Sequence, residues 1–195
     1  MKALTSYINE HKFDRFISNT YPDDPIKSAI YDYVSGYTTS INNELRNNKN
    51  YATITDLIDA AFKSKKYSDS TLIDVYRTVD WDYMKNIHGI TKENLQDMIG
   101  RIIVNKGYMS TSSEFISPWA TTWQEDELIL HITSDKPYPR IVINDILDPE
   151  TIDCEDQNEW LLPRNTKLKI ISFNVVKGKK YGKSGTYFIE LEIVH

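Results

Sequence analysis

The hydrophobic rhythm of this chain changes partway along, and that change limits the folds open to it. Early on, Ile26, Ile30, Val34, Tyr37, Ile41 and Leu45 recur every three or four residues, which is one face of a helix. Asp24 followed by Pro25 is a helix start, because the carboxylate can accept early N–H groups and proline presets φ. Gly36 falls inside this run and is expected to bend it or split it into two helices. "ITDLIDAAFKSKK" repeats the pattern with Ile54, Leu57, Ile58, Ala61 and Phe62, then closes in lysines that suit a helix C-terminus. Thr91 is placed to cap a further short helix, "KENLQDMIGR".

The second half reads in twos. "ELILHIT" (127–133), "RIVIND" (140–145), "NEWLLP" (158–163), "KLKIISFNVV" (167–176) and "TYFIELEIVH" (186–195) are rich in Ile, Leu, Val and aromatics, the composition of strands. In the last of these, Tyr187, Ile189, Leu191 and Ile193 alternate with Phe188, Glu190, Glu192 and Val194, as on a strand with unlike faces. The link "KGKKYGKSG" reads as a hairpin loop with four lysines, either simply solvated or a contact for an acidic partner or nucleic acid. Helices first and strands after predict an α+β fold rather than alternating βαβ units. No repeat and no long linker divides the 195 residues, so one domain is expected, with residues 1–70 a mainly helical lead-in and 71–195 a mainly β core.

Much chemistry is excluded. The chain has no glycine-rich phosphate loop and no G-x-S-x-G elbow. His11, His88, His131 and His195 lack metal-ligand spacing, so no metal is expected. Cys154 is the only cysteine, which forbids an internal disulfide, and it has no nearby histidine to activate it. The formal net charge of −5 argues against a general polyanion binder. The start "MKALTSYINEHKF" has no apolar signal-peptide core, and no run approaches a membrane span. The expected location is the cytoplasm where the chain is made, with leaderless delivery to a host cytoplasm compatible.

Three short pieces remain. "DVYRT" places Arg77 at the end of an apolar stretch; "KGYMSTSS" holds Ser110, Thr111 and Ser112; "EDQNEWLLPR" holds Gln157 and Glu159 ahead of an apolar run closed by Pro163 and Arg164. Singly, each is an ordinary surface charge, cap or edge residue. Together and in this order they resemble the mono-ADP-ribosyltransferases, which carry an Arg, a Ser-Thr-Ser and a Gln-x-Glu or Glu-x-Glu before an apolar strand and a Pro. "AIYDYVSGYTTSINNELRNN" is similar to the N-terminal helical segment of the C3-like exoenzymes, with Ile41, Asn42, Leu45 and Arg46 in the matching positions. Trp119-Ala120 stands where those toxins place an aromatic and an alanine. The resemblance runs from about residue 26 to the C-terminus.

That resemblance implies NAD as substrate and an α+β fold of two packed antiparallel sheets with the nucleotide in the cleft between them. It implies that Glu159 grips the 2′-hydroxyl of the nicotinamide ribose, where a fixed carboxylate meets an oxocarbenium-like transition state. Ser110 donates to Glu159, Thr111 shapes the pocket, and Arg77 offers a planar fork to the diphosphate. Asn42 and Arg46 serve the adenosine end, with Trp119 also against the cofactor, and Gln157 positions the acceptor. Strand parity puts Gln157 and Glu159 on one face, with Trp160 and Leu162 turned into the core, so the glutamate is expected on the solvent side of its strand.

Departures matter. Cys154 stands near the place where relatives modifying Rho-type asparagines carry an aromatic; "TTWQEDE" lacks their arginine and offers Trp123 instead; Thr78 follows Arg77 where Gly or Arg is usual. The acceptor is left as a protein side chain or a nucleic-acid base, and an antitoxin or chaperone partner is left open. Two other readings stand beside transfer: an NAD glycohydrolase with water as acceptor, and a catalytically silent binding module.

Overall fold

The computed structural model describes residues 18, 20–47, 52–115, 128–148, 158–176 and 186–195. Helix α1 (Pro25–Asp32) opens as its sequence predicts: the Asp24 carboxylate accepts the Lys27 N–H at 3.0 Å, and Pro25 sits in the first turn. A π-helical turn (Tyr33–Tyr37) contains Gly36 at φ 134°, a conformation that costs a side-chain-bearing residue dearly, and it separates α1 from α2 (Thr38–Arg46). Helix α3 (Ala52–Phe62) follows. Ile30, Ile41, Leu45, Ile54, Ile58 and Ala61 are buried as their spacing requires.

Among the described residues nine strands come next: β1 (Asp69–Thr71), β2 (Asp74–Val79), β3 (Ile102–Asn105), β4 (Met109–Ser112), β5 (Leu128–Thr133), β6 (Tyr138–Val142), β7 (Glu159–Leu162), β8 (Thr166–Val176) and β9 (Thr186–Ile193). Helix α4 (Trp81–His88) lies between β2 and β3, and one helical turn, α5 (Ile143–Ile146), follows β6. The α+β class therefore holds. The expected strand across 140–145 ends at Val142 and turns helical. The helix expected after Thr91 is only a 3₁₀ turn (Leu95–Met98); before it, the Asn94 Oδ1 accepts the Thr91 N–H at 2.8 Å and its Nδ2 donates to the Gly89 carbonyl. Arg77, read as a strand end, lies inside β2.

The strands hydrogen-bond in the order β1-β6-β7-β4-β2-β5-β9-β8-β3. All the pairs are antiparallel except β5–β9, which is parallel. This sheet cannot be flat. β7 and β8 are five places apart in the order, about 24 Å at ordinary strand spacing. Yet residues 163–165 alone join them, a link that reaches at most about 14 Å. The sheet must curl so that its two ends face each other, and Tyr138 of β6 accordingly meets Thr166 of β8, hydroxyl to hydroxyl, at 3.0 Å. The two expected sheets are thus two halves of one curled sheet.

Two cores result. Inside the curl, Val75, Met109, Leu128, Leu130, Ile132, Leu162, Leu168, Ile170, Ile189, Leu191 and Ile193 pack with Met84 of α4. On the outside of β4, β6 and β7, the helices α1–α3 pack through Ile30, Tyr33, Ile41, Leu45 and Ile58 onto Tyr108, Ile141 and Leu161. β9 alternates as predicted, with Ile189, Leu191 and Ile193 buried and Glu190 and Glu192 half-buried. Among the described residues no helix is long and apolar enough to cross a membrane, and no cluster of His, Cys, Asp or Glu is placed to hold a metal ion.

The central strands carry a charged clip. His131 of β5 lies between Asp74 of β2, 2.8 Å from Nε2, and Glu190 of β9, 2.5 Å from Nδ1, with its ring stacked on Tyr76. Burial alone would lower the imidazole pKa, but the hydrogen bonds and charges of the two carboxylates outweigh it and raise the value above the ordinary histidine range. A raised folded-state pKa stabilises the fold below the unfolded pKa, and that contribution is lost as pH rises through the raised value. The melting-temperature gap between wild type and His131→Gln is therefore expected to be widest near pH 5.5 and to close by pH 8.5. A gap independent of pH contradicts the clip.

Candidate active site

The site forms where the sheet is thinnest. β2 and β4 share a single residue pair, Tyr76 opposite Ser112. Across this seam the Arg77 guanidinium donates from Nη1 to the Ser110 carbonyl at 2.5 Å. On the other side of β4, Ser110 lies opposite Leu161 and Ser112 opposite Glu159 in the β4–β7 ladder. Successive strand residues point to opposite faces, so Ser110, Ser112, Glu159 and Leu161 share one face. That face lies under the helices.

Glu159 is consequently buried, with 8% of its surface exposed, and does not stand on the solvent side of its strand. Within β7 the alternation holds, with Leu162 and Trp160 in the core inside the curl and Leu161 in the helical core, while the Gln157 half of the expectation lies outside the described residues. What the pattern could not carry was that helices cover the glutamate's face. Burial pushes its carboxyl above the ordinary glutamate range; a hydrogen bond from the Ser110 hydroxyl and the nearby Arg77 charge pull it partly back. Tyr33, fully buried at the start of the π-helical turn, lies beside Ser110 and Glu159.

Thr111 plays a different part from Ser110. It is one residue on along β4, so it faces the other way, and its hydroxyl donates to the Trp160 carbonyl at 2.7 Å. That bond pins β7 to β4 rather than lining a pocket. Asn42 is also committed to the fold. Its Nδ2 donates to the Tyr33 hydroxyl at 2.9 Å and to the Tyr108 carbonyl at 3.1 Å, and its Oδ1 accepts the Tyr108 N–H at 2.9 Å. Both amide hydrogens are spent within the protein. Gly107 makes this approach possible, since a Cβ there would lie 2.3 Å from Asn42 Oδ1. The start of β4 is thereby fixed to α2.

β7 is held at its far end by Arg164, whose Nε and Nη2 donate to the Asp59 carboxylate at 3.0 and 2.6 Å. Tyr108 donates to the same carboxylate at 2.7 Å and is within hydrogen-bond reach of the Thr55 carbonyl at 2.9 Å. At its near end, Asn158 adopts φ 42°, a left-handed conformation asparagine tolerates, and donates to Glu114 at 2.6 Å.

Beside Arg77 opens a cavity of about 590 Å³, lined in part by Thr38, Asn42, Arg46, Arg77, Asp80 and Tyr83. Ser110 and Glu159 are not among its lining; they adjoin it through Arg77. Arg46 reaches in from the last turn of α2, its Nη1 donating to Asn43 at 3.1 Å. The Nε of Arg46 and that of Arg77 are both buried without a partner among the described residues. Tyr83 of α4 is near both, its ring centroid 5.1 Å from the Arg46 guanidinium and 5.7 Å from that of Arg77. Sequence reasoning missed Tyr83 and Tyr33. Gln157, Trp119, Ala120, Trp123, Cys154 and the lysine-rich 177–185 loop lie outside the described residues.

Two guanidinium groups with no carboxylate partner among the described residues, at a cavity wide enough for a small-molecule ligand, suit an anionic ligand, and a buried carboxyl adjoins them. The model of the ADP-ribosyltransferase exoenzyme family matches residues 10–189. The chain belongs to that family. It is an NAD-dependent mono-ADP-ribosyltransferase of the toxin type. No curated protein matches it in sequence. Among solved structures, its fold is similar to Plx2a, an ADP-ribosyltransferase toxin from Paenibacillus larvae, at 18% identity and a TM-score of 0.67, covering 100% of this chain and 96% of that one. The Clostridium limosum C3 exoenzyme is similar at 18% identity and TM-score 0.67, covering 100% and 94%. C3stau2 from S. aureus, solved with NAD, is similar at 23% identity and TM-score 0.63, covering 100% and 95%.

A raised folded-state pKa at Glu159 means the folded chain holds this proton more tightly than the unfolded one. Its contribution to stability is full below the ordinary glutamate pKa and is lost as pH rises through the raised value. Glu159→Gln removes that titration while keeping the shape. The ligand-free variant is expected to melt higher than wild type at pH 7, with the difference shrinking toward pH 4. Paired melting curves across that range check it; a variant that melts lower at pH 7 contradicts the burial cost.

Proposed function

We propose that Glu159, Ser110, Arg77 and Arg46 are the working residues of this transferase, and that its acceptor is a protein side chain of a host cell. The observation that carries the reading is the junction at Arg77: one guanidinium binds the Ser110 carbonyl, lies near the buried Glu159 carboxyl, and opens onto the 590 Å³ cavity. A molecule with a diphosphate in that cavity and a ribose over Ser110 and Glu159 could touch all four.

NAD supplies a ribose that gains positive charge as its bond to nicotinamide breaks. Glu159 meets that charge and holds the ribose 2′-hydroxyl; the cost of its burial is repaid only when the cationic sugar arrives. Ser110 keeps the carboxylate aimed by hydrogen bonding to its charged form. Arg77 and Arg46, which both line the cavity, bind the diphosphate through their guanidinium N–H groups. Asn42 and Thr111 act by holding the frame, since their polar atoms are already engaged. Trp119 packs against the nucleotide, and Gln157 positions the acceptor. An aromatic missing near Cys154 turns the choice of acceptor away from the Rho-type asparagine. Action in a host cytoplasm fits this reading, and an antitoxin or chaperone is not required by it.

Labelled NAD incubated with a host lysate is expected to mark protein rather than DNA or RNA. Glu159→Gln should lower turnover about a hundredfold or more, for transfer and for nicotinamide release alike. Gln157→Ala should lose transfer and keep release. Nicotinamide release by the wild type with no labelled macromolecule favours a glycohydrolase, and full activity in Glu159→Gln overturns the assignment.

A further inference from the structure

Arg46 and Arg77 present a physical difficulty. Two like charges converge on one cavity, and among the described residues neither has a carboxylate within ion-pair distance. Asp80 and Asp82 also line the cavity, but the Asp80 carboxylate accepts the Tyr83 N–H at 2.5 Å as the cap of α4, and Asp82 is exposed. Something else must favour holding both cations there in the absence of ligand.

Tyr83 answers this. Both guanidinium carbons lie inside the roughly 6 Å reach of a cation–π contact with its ring. The ring is itself fixed. Its hydroxyl donates to Asn105 Oδ1 at 3.0 Å, and the Nδ2 of Asn105, a residue 1% exposed, donates onward to the Gly107 carbonyl at 2.6 Å. That chain runs from α4 through β3 to the loop before β4. His88 stands edge-on to the same ring at 5.8 Å. Burial and the charge of Arg46 depress its pKa to about 4, so it is neutral at pH 7 and adds no third cation.

We propose that Tyr83 is a positioning residue: its face, locked by Asn105, holds Arg46 and Arg77 together as a preformed clamp for the diphosphate of NAD. This rests on the nucleotide-binding reading above and adds to it the part that sets the clamp. The gain is preorganisation, because two flexible side chains need not be gathered when the dianionic group arrives. A carboxylate in the same position would hold the arginines but compete for their N–H groups. A π face attracts the charge and leaves the hydrogen-bond donors free.

The test is steady-state kinetics and melting temperature on the whole chain, varying NAD. Tyr83→Leu is expected to raise KM for NAD about five- to thirtyfold while leaving kcat within about twofold. Tyr83→Phe, which keeps the ring and loses the hydroxyl, should stay within about threefold of wild-type KM, and Tyr83→Trp should rescue the leucine loss. Should leucine prevent folding, Tyr83→Met removes the π face while filling the volume and is expected to give the same split. Unchanged KM in a folded Leu or Met variant overturns the clamp and leaves the nucleotide reading standing, as does a Phe variant as impaired as Leu. A wild type that neither binds nor consumes NAD overturns both.

Discussion

One residue pair, Tyr76 opposite Ser112, is all that ties β2 to β4 by the sheet ladder, and the Arg77–Ser110 hydrogen bond crosses the same seam. A sheet that must curl enough for residues 163–165 to join its fifth-neighbour strands has to give way somewhere. At this seam the backbone polar groups that regular pairing would use are released. Arg77 satisfies one of them with a charged donor, which is stronger than a neutral amide. The same bond sets the spacing between the cavity and Glu159, so the geometry of the site follows from how the fold bends.

The site is also where the fold gives up stability. Glu159 is buried against its own ionisation, two guanidinium Nε groups are left without partners, and Asn158 enters β7 in a left-handed conformation. Each costs something in the free protein. The surroundings are correspondingly over-fastened. Asn42 spends three polar contacts on Tyr33 and Tyr108, Arg164 and Tyr108 converge on Asp59, and Thr111 bonds the backbone of β7. A rigid frame around an uncomfortable carboxylate is what electrostatic preorganisation requires.

Some of this was legible in the sequence, for local reasons. The helical face from Ile26 to Leu45, the Asp24–Pro25 start, the break at Gly36 and the alternation of β9 each depend on residues close along the chain. The grouping of Arg77, Ser110 and Glu159 came from a resemblance to known motifs, not from periodicity. What failed was non-local. That Glu159 is buried depends on α1–α3 covering its face, which no pattern in "NEWLLP" encodes. β3 escaped notice because Ile102, Ile103 and Val104 form a short continuous apolar run without the alternation of a strand whose one face is open, as Ile102 and Val104 are here. Thr111 could have been assigned correctly, since adjacent strand residues cannot both face one pocket. Asn42, set beside Ile41 and near Leu45 on an apolar face, carried the mark of a buried amide with work to do. Helix α4 was missed, although Asp80 caps its start and Gly89 takes the left-handed position at its end. Tyr83 had no such signal, because its partners come from three other elements.

A crystal structure of the complex with intact NAD, or with a non-hydrolysable analogue, decides whether the arginines and the glutamate serve one ligand. Diphosphate oxygens are expected within about 3 Å of the Arg77 and Arg46 guanidinium groups and the nicotinamide-ribose 2′-hydroxyl within about 3 Å of the Glu159 carboxylate, in the same molecule. A nucleotide bound elsewhere, or one that reaches the arginines while its nicotinamide ribose lies out of contact with Glu159, contradicts it.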